Sequence, residues 1–293
     1  MRWMMGTTGG VMVWLGVVLS AAPGGHLRYA EMTDPQVNTV LQKAAKVPDL
    51  GDRLQLVTEP FLGTPYILGN MGEGPNGDGR DTDPRYNVLS TDCTTFVEHA
   101  LAFALSQDVA AAKTRLDAIR YTKGVVGYGT RRHWPDAQWV PGLIAEGYAV
   151  EATASVAGPK GRVETTSVTI TPETFQASAH AAGMALTPQE IPNGTFTIPY
   201  IPLDELVSHQ ARLETGLIIN IVKAPKDGLL VRISHQGLVV RKGGKVFVRN
   251  ATSVGPKAVV DEPLAAFVAR QKAAKSWPTV GFHFMKPTLP PQG

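Results

Sequence analysis

The sequence holds one cysteine, Cys93, within LSTDCTTFVEHALAFALS. A lone thiol makes no internal disulfide, so it packs, pairs with another molecule or does chemistry. Ser90, Thr91 or Asp92 can cap a helix starting here, and Phe96, Val97, Ala100, Leu101, Ala104 and Leu105 form its apolar stripe. Cys93 then lies in the first helical turn, where unpaired backbone N–H groups and the helix dipole favour a thiolate and lower the thiol pKa. A thiolate there is a nucleophile. The plainer alternative is a small buried side chain, since free cysteine is among the most buried residue types.

A cysteine nucleophile needs a base, and the chain has seven histidines. His26 is close to the N-terminus and His283 to the C-terminus; His180 and His209 sit in polar, helix-like surroundings. His99 follows Cys93 by six positions, so on a helix it points away. His133, in RRHW, suits a binding surface. Only His235 stands inside an apolar strand run, VRISHQGLVV, and a strand holds a side chain at the fixed angle that general-base catalysis requires. The next strand, KVFVRNATS, follows a short turn and ends at Asn250, so a hairpin can bring Asn250 beside His235. An amide oxygen accepting the imidazole N–H would fix the tautomer. Asn at a strand end is also a common turn residue.

These candidates need elements to hold them. The first part of the chain reads as helical: 26–60 with a stop near Pro48, the helix at Cys93, and Asp108 to Ile119. The stretch 151–200 is Ser/Thr-rich, with VETTSVTI and TFTIPYIP as strands around a short helix in TPETFQASAHAAG. The last third is strand-dominated, TGLIINIVK, LVRISHQGLVV and KVFVRNATSVG being β-branched runs parted by Lys226-Asp227-Gly228 and Lys242-Gly243-Gly244. Asp261 to Ala274 reads as a helix and TVGFHFMK as a final strand. Helices first and a mostly antiparallel sheet after make the class α+β.

Composition narrows the partners. Hydrophobic residues at 43% and charged residues at 18% describe an ordinary globular chain. A formal charge of +3 without a Lys/Arg block argues against nucleic acid. Arg2, the apolar run Val11 to Leu19 and the small residues Ser20-Ala21-Ala22 have the layout of a cleavable export signal over 1–22. The run is shorter than the roughly 20 residues of a membrane span, so the mature chain is expected to be exported, periplasmic or secreted, without a stable membrane span. Asp78, Asp81 and Asp83 lie in a Gly-rich loop without EF-hand spacing, which reads as a solvated loop; no metal and no cofactor is expected.

Asp92-Cys93-Thr94-Thr95-Phe96-Val97-Glu98 resembles the nucleophile motif of NlpC-type, papain-like cell-wall hydrolases, in their N-acetylmuramoyl-L-alanine amidase-like branch. FLGTPY (61–66) is similar to the segment upstream of that branch's cysteine, and GTRRHWPDAQW (129–139) to its Ser-Arg-x-His-aromatic segment. IPYIP (198–202) and TGLIINIV (215–222) resemble its next landmarks, GLLVRISHQGLVV (228–240) its histidine motif, and NATS (250–253) its His-Ala-Ser-Ser element. The resemblance implies a papain-like fold with the nucleophile helix packed on an antiparallel sheet. It divides the chain into a 23–60 helical lead, a 61–288 amidase domain with an insertion near 151–195, and a 289–293 tail. Two departures stand out: Asn250 where the family usually has histidine, and Leu217 where an acidic residue usually follows the glycine.

By position the resemblance makes Cys93 the nucleophile, His235 the base and Asn250 the orienting group. The reaction it implies needs an oxyanion site, from the Cys93 N–H with the Tyr66 hydroxyl and beside Asp92. Arg131, Arg132, His133 and Trp134 read either as a substrate subsite, with cations for carboxylates and an aromatic face for a sugar, or equally as a surface loop with a buried Trp. The expected partner is peptidoglycan or a muropeptide, cut by a monomer at the amide between N-acetylmuramic acid and L-alanine. The rivals are a D-glutamyl-diamino acid endopeptidase using the same residues, a catalytically idle cell-wall-binding module and, more distantly, a zinc amidase, for which no His-Glu pattern stands at ligand spacing.

Overall fold

The computed structural model describes residues 27–291; the export signal expected over 1–22 and the end of the tail lie outside the described residues. The chain opens with α1 (Asp34–Ala45) and α2 (Leu50–Thr58), parted at Pro48, with Asp49 capping α2 through the Asp52 N–H. A long loop leads to α3 (Cys93–Ala104) and α4 (Val109–Arg120). A wide turn at Pro135–Trp139 runs into α5 (Val140–Ala145), β1 (Ala149–Glu151) and α6 (Thr153–Ala157). The Ser/Thr-rich stretch supplies β2 (Glu164–Ile170), the short α7 (Pro172–Gln176) and β3 (Gly194–Pro202). Then come β4 (Ile218–Lys223), β5 (Ile233–Lys242), β6 (Lys245–Ala251), β7 (Val259–Pro263), α8 (Leu264–Lys272) and β8 (Thr279–Pro287).

The strands form one antiparallel sheet in the order β2-β3-β8-β4-β5-β6-β7, with β1 added beside β8, so the architecture is α+β. Period-2 alternation along the central strands explains its two covered faces. Ile218, Val222, Ile233, Leu238 and Met285 face α1–α4, whose apolar sides include Leu41, Leu54, Phe96 and Leu116. Ile219, Ile221, Val239, Val248, Phe282 and Phe284 face Leu264, Phe267 and Val268 of α8. A third, smaller cluster joins Tyr128 and Trp134 to Val168, Ile170, Phe175 and Ile191, so the 151–195 stretch has its own core. Among the described residues no helix is long and apolar enough to cross a membrane.

Two boundaries differ from the sequence expectation. The final helix begins at Leu264 rather than Asp261, because Asp261 is spent in strand β7, pairing with Arg249 across the ladder. The helix expected in TPETFQASAHAAG stops at Gln176, a single capped turn and a half. The β5–β6 hairpin is as expected, closed by Gly243 and Gly244 at positive φ, the requirement of its two-residue turn.

Candidate active site

Asp92 caps α3: its Oδ1 accepts the Thr94 and Thr95 N–H groups at 3.1 and 2.8 Å, and the Thr95 hydroxyl reaches back to the Asp92 N–H at 2.9 Å. Its Oδ2 accepts the Gly69 N–H at 3.1 Å, tying the loop before α3 to the cap. In that loop Tyr66 lies in a parallel bridge with Thr91, and the Ile67 N–H bonds the Thr91 carbonyl at 3.1 Å. Tyr66 thereby stands beside Cys93; burial first, then the nearness of Cys93 and Asp92, push its hydroxyl up to about 12. Thus Asp92 is spent as a cap, and Tyr66 borders the thiol. No described residue accepts the Cys93 N–H, which stays available as a donor.

The thiol lies where two strands part. The β5–β6 ladder runs from Lys242↔Lys245 to Leu238↔Arg249 and ends there, while β6 continues with β7 through Asn250↔Val260 and Ala251↔Val259. In β5 the Val239 N–H bonds the Leu217 carbonyl on the β4 side at 2.8 Å. Alternation therefore turns the Gln236 N–H toward β6, into the gap. That N–H meets the Cys93 sulfur. Gly237 sits at the parting point, where a Cβ would stand 2.9 Å from the Arg249 carbonyl and 3.0 Å from the Asn250 Cβ. Only glycine lets β6 bring Asn250 this close.

Across the same gap, His235 Nε2 and Asn250 Oδ1 are 2.9 Å apart. The Asn250 amide nitrogen donates to the Val248 carbonyl at 3.2 Å, which leaves its oxygen facing the ring. Nε2 therefore carries the proton and Nδ1 is the basic nitrogen. Burial holds His235 down to about 4, so the imidazole is neutral at ordinary pH. A cavity of about 270 Å³ opens against His235 between Lys223, Ser234, Thr252 and Arg270, and does not reach Cys93. A larger one of about 670 Å³ is lined by α1, α2 and the residues flanking them, and by none of these residues.

The thiol does not follow the sequence expectation of a lowered pKa. Burial and then the Asp92 carboxylate push it up to about 12, against the hydrogen bond from the Gln236 N–H. Burial is the larger cause, and the cap adds to it: Asp92 takes the Thr94 and Thr95 N–H groups that would favour a thiolate and brings a negative charge of its own.

The RRHW segment turns inward instead of presenting a subsite. Arg131 pairs with Asp81 at 2.8 Å and Glu73 at 3.1 Å, and Arg132 is buried against the Ile119 carbonyl and Glu146. His133 Nε2 meets the Tyr128 carbonyl at 2.7 Å, and burial lowers it to about 4. Trp134 is buried edge-on to Phe175. What this segment does for the site is done by Asp136, whose carboxylate accepts the Arg232 and Ile233 N–H groups at 3.0 and 3.1 Å and so fixes the start of β5. Of the loop carboxylates, Asp81 is taken by Arg131 and Asp78 by Arg80. Sequence reasoning missed Asp136, Gly237, Thr94 and Gln236; a glycine two positions after a histidine inside a β-branched run was the legible signal for Gly237.

Comparison with known proteins adds the following. The model of the AmiA-like family, described as N-acetylmuramoyl-L-alanine amidase-like, matches residues 56–275. A crystal structure of a protein from Legionella pneumophila str. Philadelphia 1 superposes with a TM-score of 0.76 at 22% identity, covering 87% of this chain and 94% of the other. An N-acetylmuramoyl-L-alanine amidase from Bacteroides uniformis superposes with a TM-score of 0.60 at 21% identity, over 86% of this chain and 99% of its own. At such identities the likeness is one of fold. No curated protein sequence matches the chain significantly.

Proposed function

We propose that this chain, which belongs to the AmiA-like, N-acetylmuramoyl-L-alanine amidase-like family, is an exported cysteine hydrolase of papain-like, NlpC type that cleaves the amide between N-acetylmuramic acid and L-alanine in peptidoglycan or its fragments. The observation that carries this reading is the approach of the Gln236 N–H to the Cys93 sulfur in the gap between β5 and β6, one residue along β5 from a histidine whose tautomer Asn250 fixes.

In this mechanism His235 Nδ1 takes the thiol proton as the Cys93 sulfur attacks the amide carbon. The Cys93 N–H and the Tyr66 hydroxyl donate to the oxygen as it gains charge. The C–N bond then breaks, and the His235 imidazolium gives its proton to the departing L-alanine nitrogen. Water, deprotonated by His235, attacks the thioester and releases the muramoyl carboxylic acid, while the sulfur leaves as thiolate and regains the proton. Asn250 keeps Nε2–H pointed away from the substrate throughout. Export through residues 1–22 would deliver the enzyme to the cell wall.

The test is product analysis by mass spectrometry on defined muropeptides under reducing conditions, with wild type and Cys93→Ala. A peptide with a free L-alanine amine from the wild type alone is the expected result. A peptide cut after D-glutamate would establish the endopeptidase rival, and uncut substrate or equal cutting by Cys93→Ala would remove the cysteine mechanism.

A further inference from the structure

A row of buried polar side chains crosses the sheet from the active-site helix to the opposite rim. The Thr94 hydroxyl donates to Gln236 Oε1 at 2.7 Å, and Gln236 Nε2 donates to Asn220 Oδ1 at 2.9 Å. Asn220 Nδ2 donates to His283 Nδ1 at 2.8 Å, and His283 Nε2 donates to Glu151 Oε2 at 2.7 Å. Gln236, Asn220 and His283 stand in register on β5, β4 and β8, at 1%, 0% and 0% exposure. Their neighbours on this face are Ile218, Val222, Ile233, Leu238 and Met285.

Stability does not explain the row. A satisfied polar side chain in an apolar layer contributes little net stability beyond an apolar one of the same shape, and a broken row would cost more. Direction is what distinguishes it. An ionised Glu151 only accepts, so a neutral His283 donates from Nε2 and accepts at Nδ1, the arrangement in which Asn220 Nδ2 can donate to it. Asn220 must then turn its nitrogen to His283 and its oxygen to Gln236, and Gln236 its oxygen to Thr94. The carboxylate at one end thus determines which way the Thr94 hydroxyl points at the other. Thr94 Oγ1 lies 4.0 Å from the Cys93 sulfur, and the Gln236 backbone N–H meets that sulfur directly.

We propose that Glu151, His283, Asn220 and Gln236 are positioning residues: a one-way hydrogen-bond relay that holds the Thr94 hydroxyl as an acceptor toward the thiol and clamps the first turn of α3 to β5 at Cys93. The side chain of Glu151 is 39% exposed and its other oxygen accepts the Thr153 N–H at 2.7 Å, so the relay has one end at the surface. His283 and Thr153, the latter through its amide and its side chain, are the groups that interact with that carboxylate. The proposal rests on Cys93 as the nucleophile for its meaning, but its test reads the thiol without substrate.

The test is the rate of Cys93 alkylation by iodoacetamide between pH 7 and 10 in wild type, Glu151→Gln, Thr94→Val and the double variant. A neutral amide in place of the Glu151 carboxylate no longer enforces a direction, so the Thr94 hydroxyl is released to donate to the sulfur. Alkylation should then quicken roughly threefold, the worth of about one modest hydrogen bond. In the Thr94→Val background the same substitution should change nothing. Glu151 and Gln236 are separated by three strand spacings, about 14 Å, a range at which independent substitutions normally add. Equal effects of Glu151→Gln in both backgrounds, or no effect in either, would overturn the relay. Nitrogen NMR of the wild type gives a second reading that needs no variant: His283 should carry its proton on Nε2, and a proton on Nδ1 would overturn it. Where hydrolysis is measured, Glu151→Gln should lower kcat and leave KM in place. Uncut muropeptides together with coupled alkylation would remove the amidase reading and keep the relay.

Discussion

Replacing Asn250 by Asp gives the most direct check on the base. In the wild type Nε2 donates to a neutral amide oxygen at 2.9 Å, and burial holds His235 down to about 4. A general base works only when neutral, so kcat/KM should be full above that value and fall as the pH drops through about 4. Aspartate at position 250 would keep the acceptor and add a negative charge against the ring. An opposite charge at hydrogen-bond distance raises an imidazole by roughly 1–3 units. The acid limb of Asn250→Asp should then lie roughly between pH 5 and 7. Asn250→Leu removes the acceptor instead. It loses a hydrogen bond worth about 0.5–1.5 kcal/mol and frees the tautomer that blocks Nδ1, so kcat should fall by roughly tenfold with KM little changed. The assay is the pH dependence of kcat/KM on a defined muropeptide, followed by mass spectrometry from pH 3.5 to 8. A wild-type limb between 6 and 7 that Asn250→Asp leaves in place would refute the argument, because His235 would then neither be held down by burial nor sense position 250.

Two further outcomes concern the scaffold. Glu98 on α3 is buried with Arg120 at 2.9 Å and the Trp139 indole N–H at 3.1 Å, so Arg120→Met should leave a carboxylate stranded and cost roughly 3–5 kcal/mol in urea unfolding; a loss below about 1 kcal/mol would mean Glu98 needs no cation. His99, buried and held down to about 4 by burial, takes up a proton in the unfolded chain near pH 6.5 and in the folded one only near 4. Its stability contribution is therefore complete above pH 6.5 and lost as the pH falls toward 4, on the order of 3 kcal/mol. His99→Gln should flatten that acid limb, and an unchanged slope between pH 4 and 6.5 would contradict it.

The parts of the site that local chemistry encodes were legible. Asp92 caps its own helix three residues away, and the glycine pair at 243–244 closes the hairpin that brings Asn250 to His235. Both depend on neighbours within a few residues. The RRHW segment was not legible, because its burial depends on Val168, Ile170 and Phe175, which reach it only through folding of the 151–195 stretch. Two cations beside an aromatic look the same in sequence whether they face a substrate or pair with Glu73, Asp81 and Glu146. The relay was hidden for a different reason. Asn220, Gln236 and His283 each interrupt an apolar run singly, and only strand register lines the three up. Strand β7 was absorbed into the helix expected after it, since nothing in AVVDEPLAAF signals that Asp261 answers Arg249 across a ladder.

The raised thiol and the lowered imidazole belong to one arrangement. In the proposed mechanism, a resting thiolate paired with a His235 imidazolium would leave the ring charged and without a hydrogen-bonded carboxylate in a largely desolvated gap. Asn250 offers the ring a neutral acceptor, which orients it without paying for that charge. In the proposed mechanism the resting pair is SH and neutral imidazole, and the charge separation arises only as the sulfur meets the carbonyl. The Cys93 N–H and the Tyr66 hydroxyl then find the negative charge on the substrate oxygen rather than on sulfur. A resting neutral thiol is also slow to oxidise, since thiolate character governs that reaction. Asp92 thus does two things: it caps the helix that carries Cys93 and, after burial, its charge helps to hold the thiol protonated.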